Sequence, residues 1–158
     1  MTASNLLQRE GLAYVGPIII ERYSSGLPFE YLLQNRYENG NRLRLNRHGK
    51  GPFCRFEIPK LPDGHGVYAI TVDDSLVYNG ECQNFRERYG PRGYGVIHPR
   101  NCFDGGQPTN CKINARVVEA TLRNSIPELW FAPEVANTRK LVEKDLISRF
   151  QPQWNGRG

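Results

Sequence analysis

Gly66-Val67-Tyr68 and Tyr78-Asn79-Gly80 stand on either side of an acidic turn, Asp73-Asp74-Ser75, with the two tyrosines ten residues apart. Apolar residues flank the turn on both sides, so the pattern predicts a β-hairpin with strands over 66–72 and 76–79. The length of the turn decides what such a hairpin can do. With a three-residue loop, Val72 pairs with Leu76, and Tyr68 and Tyr78 share a face because side chains alternate with period two. A two-residue loop puts them on opposite faces. Any joint role for the tyrosines therefore predicts the three-residue loop.

The flanking segments read as follows. Residues 14–21 form a candidate strand that Pro17 confines to an edge or an end. Residues 29–35 suggest a short helix, and Asn39-Gly40 a turn. Residues 42–46 alternate polar and apolar, which predicts a strand exposing Arg42 and Arg44. Asn84 can cap a short helix ending at Tyr89, with Phe85, Arg88 and Tyr89 on one face. Residues 90–110, rich in Gly, Pro and Asn, read as a long ordered loop. Ile113, Val117, Val118 and Leu122 recur at helical spacing and predict a helix over 111–124. A strand over 128–132 and a helix from Asn137-Thr138 to about Phe150 close the pattern. The order after residue 60 is strand, strand, helix, helix, strand, helix. A small α+β fold follows, with a three-stranded antiparallel sheet flanked by helices and an N-terminal extension. The expected division is 1–60, a basic extension, and 61–158, the core.

Glu143 is the residue most out of place. Val142, Leu146, Ile147 and Phe150 define the apolar face of the last helix, and Glu143 falls inside it. A carboxylate there costs stability unless a charge pairs with it. A metal ion and an arginine both qualify, so the helix pattern leaves the choice open. Tyr68 and Tyr78 read equally as packing residues, Arg88 as a snorkelling side chain, and Asn155 as a turn residue. His98, in the long loop, is either an acid–base group or solvated. Cys102 and Cys111 lack a second pair at zinc spacing.

Net charge is +5, and its placement matters more than its size. Between Arg36 and Lys60, seven Lys/Arg face two acidic residues, so this stretch alone carries +5. A localised basic segment suits a phosphate backbone, or is simply a solvated surface. No apolar run is long enough to span a membrane, no signal-peptide layout opens the chain, and four cysteines are compatible with a reduced, cytoplasmic protein.

Taken together, Gly66-Val67-Tyr68, Tyr78-Asn79-Gly80, Arg88, Glu143 and the Pro152-to-Asn155 ending resemble the GIY-YIG nuclease family, over residues 66–155. The resemblance implies a compact three-stranded sheet with helices in the order above, and cleavage of DNA with one divalent metal, Mg²⁺ or Mn²⁺. It implies that Glu143 holds the metal, Tyr68 accepts a proton from the attacking water, Tyr78 orients water or phosphate, Arg88 neutralises charge on phosphate, and Asn155 braces the site. A tyrosine, with a pKa ordinarily near 10, needs nearby positive charge for that role. Three features depart from the family pattern. Asn79 replaces the usual apolar middle residue, Glu81 stands where some restriction-type members carry lysine, and the place of the family histidine holds Arg92, with His98 further on. The long loop and basic extension resemble recognition elements of small type II restriction endonucleases. They nominate Arg42, Arg44, Arg47, Lys50, Arg92, Arg100, Gln107 and Asn110 as DNA contacts, since such side chains suit phosphates and base edges. Cutting both strands of a palindromic double-stranded DNA site implies a twofold homodimer. The competing readings are a structure-selective or mobile-element nuclease, and a catalytically silent nucleic-acid-binding module.

Overall fold

The computed structural model describes residues 2–38, 40–91 and 93–156. Asn39, in the expected turn, and Arg92, an expected DNA contact, lie outside the described residues. Among the described residues the α-helices are α1 (Ala3–Arg9), α2 (Phe85–Tyr89), α3 (Pro108–Leu122) and α4 (Arg139–Phe150), and the strands are β1 (Ala13–Pro17), β2 (Gly66–Val72), β3 (Ser75–Cys82) and β4 (Glu128–Pro133). The strands form one antiparallel sheet in the order β1-β4-β2-β3. A small antiparallel sheet flanked by helices is thus the architecture, and β1 adds a fourth strand from the N-terminal segment. Pro17 ends β1, on an outer edge of the sheet where its missing N–H breaks no ladder. Among the described residues no helix is long and apolar enough to cross a membrane.

The chain packs as two compact units. The first comprises Met1–Ile18, Ile58–Arg88 and Ser125–Gly158; the second comprises Ile19–Glu57 and Tyr89–Asn124. The first holds the whole sheet. Leu7, Leu12, Val67, Ala69, Trp130 and Leu146 form its core on one sheet face, which α1 and α4 cover. On the other face Phe85 stacks on Phe131 at 4.2 Å and meets Tyr68 at 6.0 Å.

In the second unit Tyr31, Leu33, Phe53, Ile97, Cys102, Phe103 and Cys111 form the core. Its backbone is largely irregular, and α3 supplies side chains that satisfy it. Asn114, fully buried, accepts from Cys54 N at 2.8 Å and donates to Cys54 O at 3.0 Å and Tyr94 O at 2.7 Å. All four cysteines are buried and free.

Several local expectations are corrected. The segment 29–35 forms only a 3-10 turn at Leu33–Arg36, and 42–46 contains no strand, only a single bridge from Leu45 to Phe103. Alternation there reflects Leu43 and Leu45 packing on the second core, not a sheet. The 90–110 loop contains a 3-10 turn at Pro99–Cys102, and α3 starts three residues earlier than periodicity suggests, because Pro108 suits a first helical turn. Leu122 is exposed at the last residue of α3.

Candidate active site

The hairpin resolves the question of the tyrosines in an unexpected way. The turn has two residues, Asp73 and Asp74, both left-handed (φ 50° and 59°), and Val72 pairs with Ser75. That loop alone would separate the tyrosines. A bulge cancels the offset: Thr71 pairs with Leu76, but Ile70 pairs with Tyr78, so Val77 is the extra residue. Tyr68 and Tyr78 consequently share a face, with ring centroids 6.0 Å apart. The three-residue loop is not formed; the shared face is.

Gly80 lies opposite Tyr68 across the ladder. A Cβ on Gly80 would fall 2.3 Å from Tyr68 Cζ and 2.4 Å from its hydroxyl oxygen. The second glycine of the motif is therefore the floor on which the first motif's tyrosine lies, and Tyr68 is only 1% exposed. Gly66 meets a harder limit, since a Cβ there would fall 2.1 Å from the Ala132 carbonyl oxygen of the neighbouring strand.

Asn79 and Glu81 point to the opposite face, because they pair with Ala69 and Val67 of the α4-covered core. There α4 is anchored by its first residue. Arg139 Nε donates to Glu81 at 2.7 Å, Arg139 Nη1 bonds Glu134, and the Arg139 backbone N–H donates to Glu134 at 2.9 Å. His65 Nδ1 lies 2.8 Å from the same Glu134 carboxylate. Glu134 thus caps α4, and Glu81 fixes the helix against the outer strand. The sequence reading missed this network, although an acidic residue five positions before a helix-opening arginine was visible in it.

Glu143 follows one turn after Arg139. The inward stripe of α4 is Glu143, Leu146, Ile147 and Phe150, at i, i+3, i+4 and i+7, while Val142 is 37% exposed. Val142, expected inside, lies outside the stripe. Burial first, then the nearby Glu81 charge, push the Glu143 carboxyl above the usual carboxylate range, against the opposing pull of Arg88 and Lys140. Among the described residues Glu143 enters no ion pair. Arg88, half-buried on α2, also acts on the Cys82 thiol, which burial raises to about 11. Cys82 pairs with Gly66 and so belongs to the tyrosine face. The Arg88 charge therefore acts on groups of both faces.

Asn155 closes the arrangement. Its Oδ1 accepts from Asn79 N and its Nδ2 donates to Asn79 O, both at 2.8 Å. The side-chain amide thus pairs with the outer edge of β3 as a neighbouring strand would. Replacement by alanine leaves both backbone groups without this partner and is expected to cost about 1–3 kcal/mol, read as a lower Tm. Asn155→Asp should fare no better, since a carboxylate oxygen would then face the Asn79 carbonyl.

The Asn79 side chain is the odd member. It is 0% exposed, and neither of its polar atoms has a hydrogen-bond partner among the described residues. It shares the α4-facing side of β3 with Glu81. Glu143 by contrast is half-buried and enters no ion pair among the described residues, and a carboxylate oxygen of that kind suits a hard divalent cation. No group of three His, Cys, Asp or Glu side chains suited to a metal occurs among the described residues, so Glu143 would be a single-carboxylate ligand.

The remaining candidates lie in the second unit. His98 is exposed and its Nδ1 accepts from Arg100 N at 3.1 Å, capping the 3-10 turn; it is not among the groups gathered on β3. Arg42, Arg44, Arg47 and Lys50 are exposed, with Arg44 Nε 2.9 Å from Asp104. Arg100 is tied to its own loop through Asp104 O at 2.8 Å. Gln107 is exposed at the start of α3, whereas Asn110 is 7% exposed, turned into the core by its place in the first helical turn.

No family model and no curated protein matches this sequence. The fold matches a solved structure of bacteriophage T4 EndoII carrying a glutamate-to-alanine substitution, over 99% of both chains, with a TM-score of 0.53 and 18% identity. At that identity the likeness is one of fold, and it extends across both units rather than the sheet alone.

Proposed function

We propose that this chain is a divalent-metal-dependent DNA endonuclease of the GIY-YIG type, cutting duplex DNA at specific sequences. The observation that carries the reading is Glu143. It occupies a core position on α4, pays a desolvation cost, and has no ion-pair partner among the described residues. The fold shared with EndoII supports the same assignment.

A phosphate laid across the outer edge of β3 would meet the Arg88 guanidinium, whose fixed fork suits the charge that builds on phosphate oxygens. Tyr68, as a phenolate or by relay, would accept the proton of the attacking water as the water oxygen bonds to phosphorus and a P–O ester bond breaks, its electron pair leaving with the departing oxygen. Tyr78, 6.0 Å away by ring centroid, orders that water or the phosphate. Glu143 would hold Mg²⁺ or Mn²⁺, which supplies Lewis-acid stabilisation of phosphate and leaving oxygens when bound. The exposed Arg42, Arg47 and Lys50, with Gln107, provide DNA contacts from the basic stretch and loop. A palindromic site would be cut by a homodimer. Four buried thiols suit a reduced, cytoplasmic setting.

Long duplex DNA of known sequence, incubated with Mg²⁺ or EDTA, tests the reading. Discrete Mg²⁺-dependent fragments are expected. Cutting confined to branched or nicked DNA would favour a structure-selective enzyme, and binding without cutting across metals would leave only a nucleic-acid-binding module. The pH profile adds a sign. Because the Glu143 carboxyl is raised, it takes up a proton at higher pH than an ordinary glutamate. Activity should therefore fail early on the acid side, and more Mg²⁺ should move that limb to lower pH, since cation and proton compete.

A further inference from the structure

The second unit gathers positive charge on α3 and on the loop beside it. Lys112 and Arg116 are half-buried and one turn apart on α3, so like charges stand together at a cost. The loop carrying Arg47 and His48 is sewn to the start of the same helix through the Pro99–Cys102 turn. Asn46 N donates to Cys102 O at 2.9 Å, and Asn46 Nδ2 donates to Asn101 O at 2.6 Å and to Phe103 O at 3.3 Å. Gly49 lies flush on the turn, since a Cβ there would fall 1.9 Å from the Cys102 carbonyl oxygen. Cys111 Sγ, in the residue before Lys112, donates to Asn101 O at 3.2 Å and ties the turn to α3. The His48 N–H donates to Asn46 Oδ1 at 2.9 Å, which sets the backbone of His48 within this arrangement. Burial first, then the charges of Lys112, Arg47 and Arg116, hold the His48 imidazole below its ordinary range. Lys112 is held down in the same way, by burial and then by Arg116 and Arg47.

The other charges of these segments are engaged nearby. Arg116 Nη1 lies 3.0 Å from Glu119, whose side chain is 51% exposed. In the turn, Asp104 pairs with Arg44 at 2.9 Å, and Arg100 Nη1 donates to the Asp104 carbonyl at 2.8 Å. The Cys102 and Cys111 thiols are buried in the core, and Lys50 follows the loop, exposed. Arg47, Lys112 and Arg116 therefore outweigh the Glu119 carboxylate, and a protonated His48 adds to the excess. An anion relieves such repulsion, and two guanidinium forks with an ammonium suit phosphate oxygens. We propose that Arg47, His48, Lys112 and Arg116 form a seat on the second unit for a backbone phosphate of DNA. The proposal rests on DNA being the substrate of this chain, and it brings His48, Lys112 and Arg116 into the binding of that substrate. Such a seat reads no base; it fixes the register of the protein on the duplex. It also couples binding to a proton. A phosphate beside His48 offsets the three cations, so the imidazole takes up a proton as DNA arrives. Affinity then rises as pH falls through the range between the bound and the free titration points.

The full chain is titrated in EDTA with a short fluorescent duplex at several pH and salt values. The His48 imidazole is followed by NMR alone, with duplex, and with inorganic phosphate at equal phosphate concentration. The expected result is an upward move of the His48 midpoint with duplex, and tighter binding at about pH 6 than at about pH 8. Lys112→Gln should weaken binding about tenfold on every sequence alike and lower the salt slope by about 1, and Lys112→Arg should restore most of both. His48→Gln should abolish the pH dependence of binding, with a melting curve to report that the variant folds. A His48 midpoint unmoved by bound duplex, or native affinity and slope in Lys112→Gln, would overturn the seat. An equal move with inorganic phosphate would overturn the assignment to DNA. Mg²⁺-dependent cleavage by the same preparation separates the two readings. Cutting by a protein whose His48 ignores duplex sinks the seat and spares the nuclease. A His48 that answers to duplex in a protein that cuts no DNA with any metal retains the seat and sinks the nuclease.

Discussion

Glu143→Gln is expected to reduce Mg²⁺-dependent cutting by at least about 10²–10³-fold while leaving the fold as stable as before or more so. The two effects have one origin. In the folded chain burial and the Glu81 charge hold the carboxyl above its usual range. The folded state therefore binds more protons than the unfolded chain between the two pKa values, and stability falls as pH rises through that window. At neutral pH the ionised carboxylate costs stability, and the neutral amide removes that cost. A Tm gain on the order of 1–3 °C at pH 7, vanishing in acid, is the signature. A Glu143→Gln variant that lost stability at neutral pH would mean that the carboxylate is structural, and one that still cut DNA would end the proposed metal role. The measurement is a thermal melt at several pH values beside a cleavage assay.

Gly80→Ala is the second large effect. The added methyl would enter the Tyr68 ring, which is 1% exposed and packs beside Tyr78 and Phe85. Overpacking of this kind costs about 1–3 kcal/mol, a Tm loss on the order of 2–12 °C for a chain of this length. The ring that does move carries the proposed base out of register, and a shift near 1 Å costs about 10²-fold in rate. A double-mutant cycle separates the clash from other causes. Tyr68→Leu should relieve much of the Gly80→Ala penalty, because the offending Cζ and hydroxyl are both gone, whereas Tyr68→Phe removes only the hydroxyl, keeps Cζ and should relieve less. Additive losses in the first cycle would show that the glycine matters for some reason other than the tyrosine. Melting curves of the four proteins decide it.

These two residues also show how legibility divides. The hairpin, the two long helices and β4 were readable because period and turn chemistry act within a few residues of sequence. Glu143 was readable as an anomaly for the same reason. The face shared by Tyr68 and Tyr78 was reached from the wrong premise, since the loop is two residues long and the bulge at Val77 restores the alternation. A bulge leaves little local trace, because it is selected by what packs on the two faces. That Asn155 would brace the site was an inference from resemblance; the hydrogen bonds it makes, to the backbone of Asn79 on β3, reach 76 residues back in the chain. The Glu81–Arg139–Glu134 network and the meeting of His48 with Lys112 and Arg116 were invisible because each joins segments whose neighbourhood only the fold creates. The irregular second unit resisted reading most, as its backbone is satisfied by side chains such as Asn114 rather than by ladders.

The way Asn155 engages Asn79 has a consequence for how molecules of this chain behave in a crowd. β3 is eight residues long and borders the sheet, and a bare border of that length is a template on which a second chain can add a strand. By occupying one N–H and one C=O midway along it, a single amide interrupts the run of free groups that such growth needs. The same contact that steadies the second motif also acts as a guard against self-propagating β-stacking, so the border of the sheet need not be adhesive to its own kind.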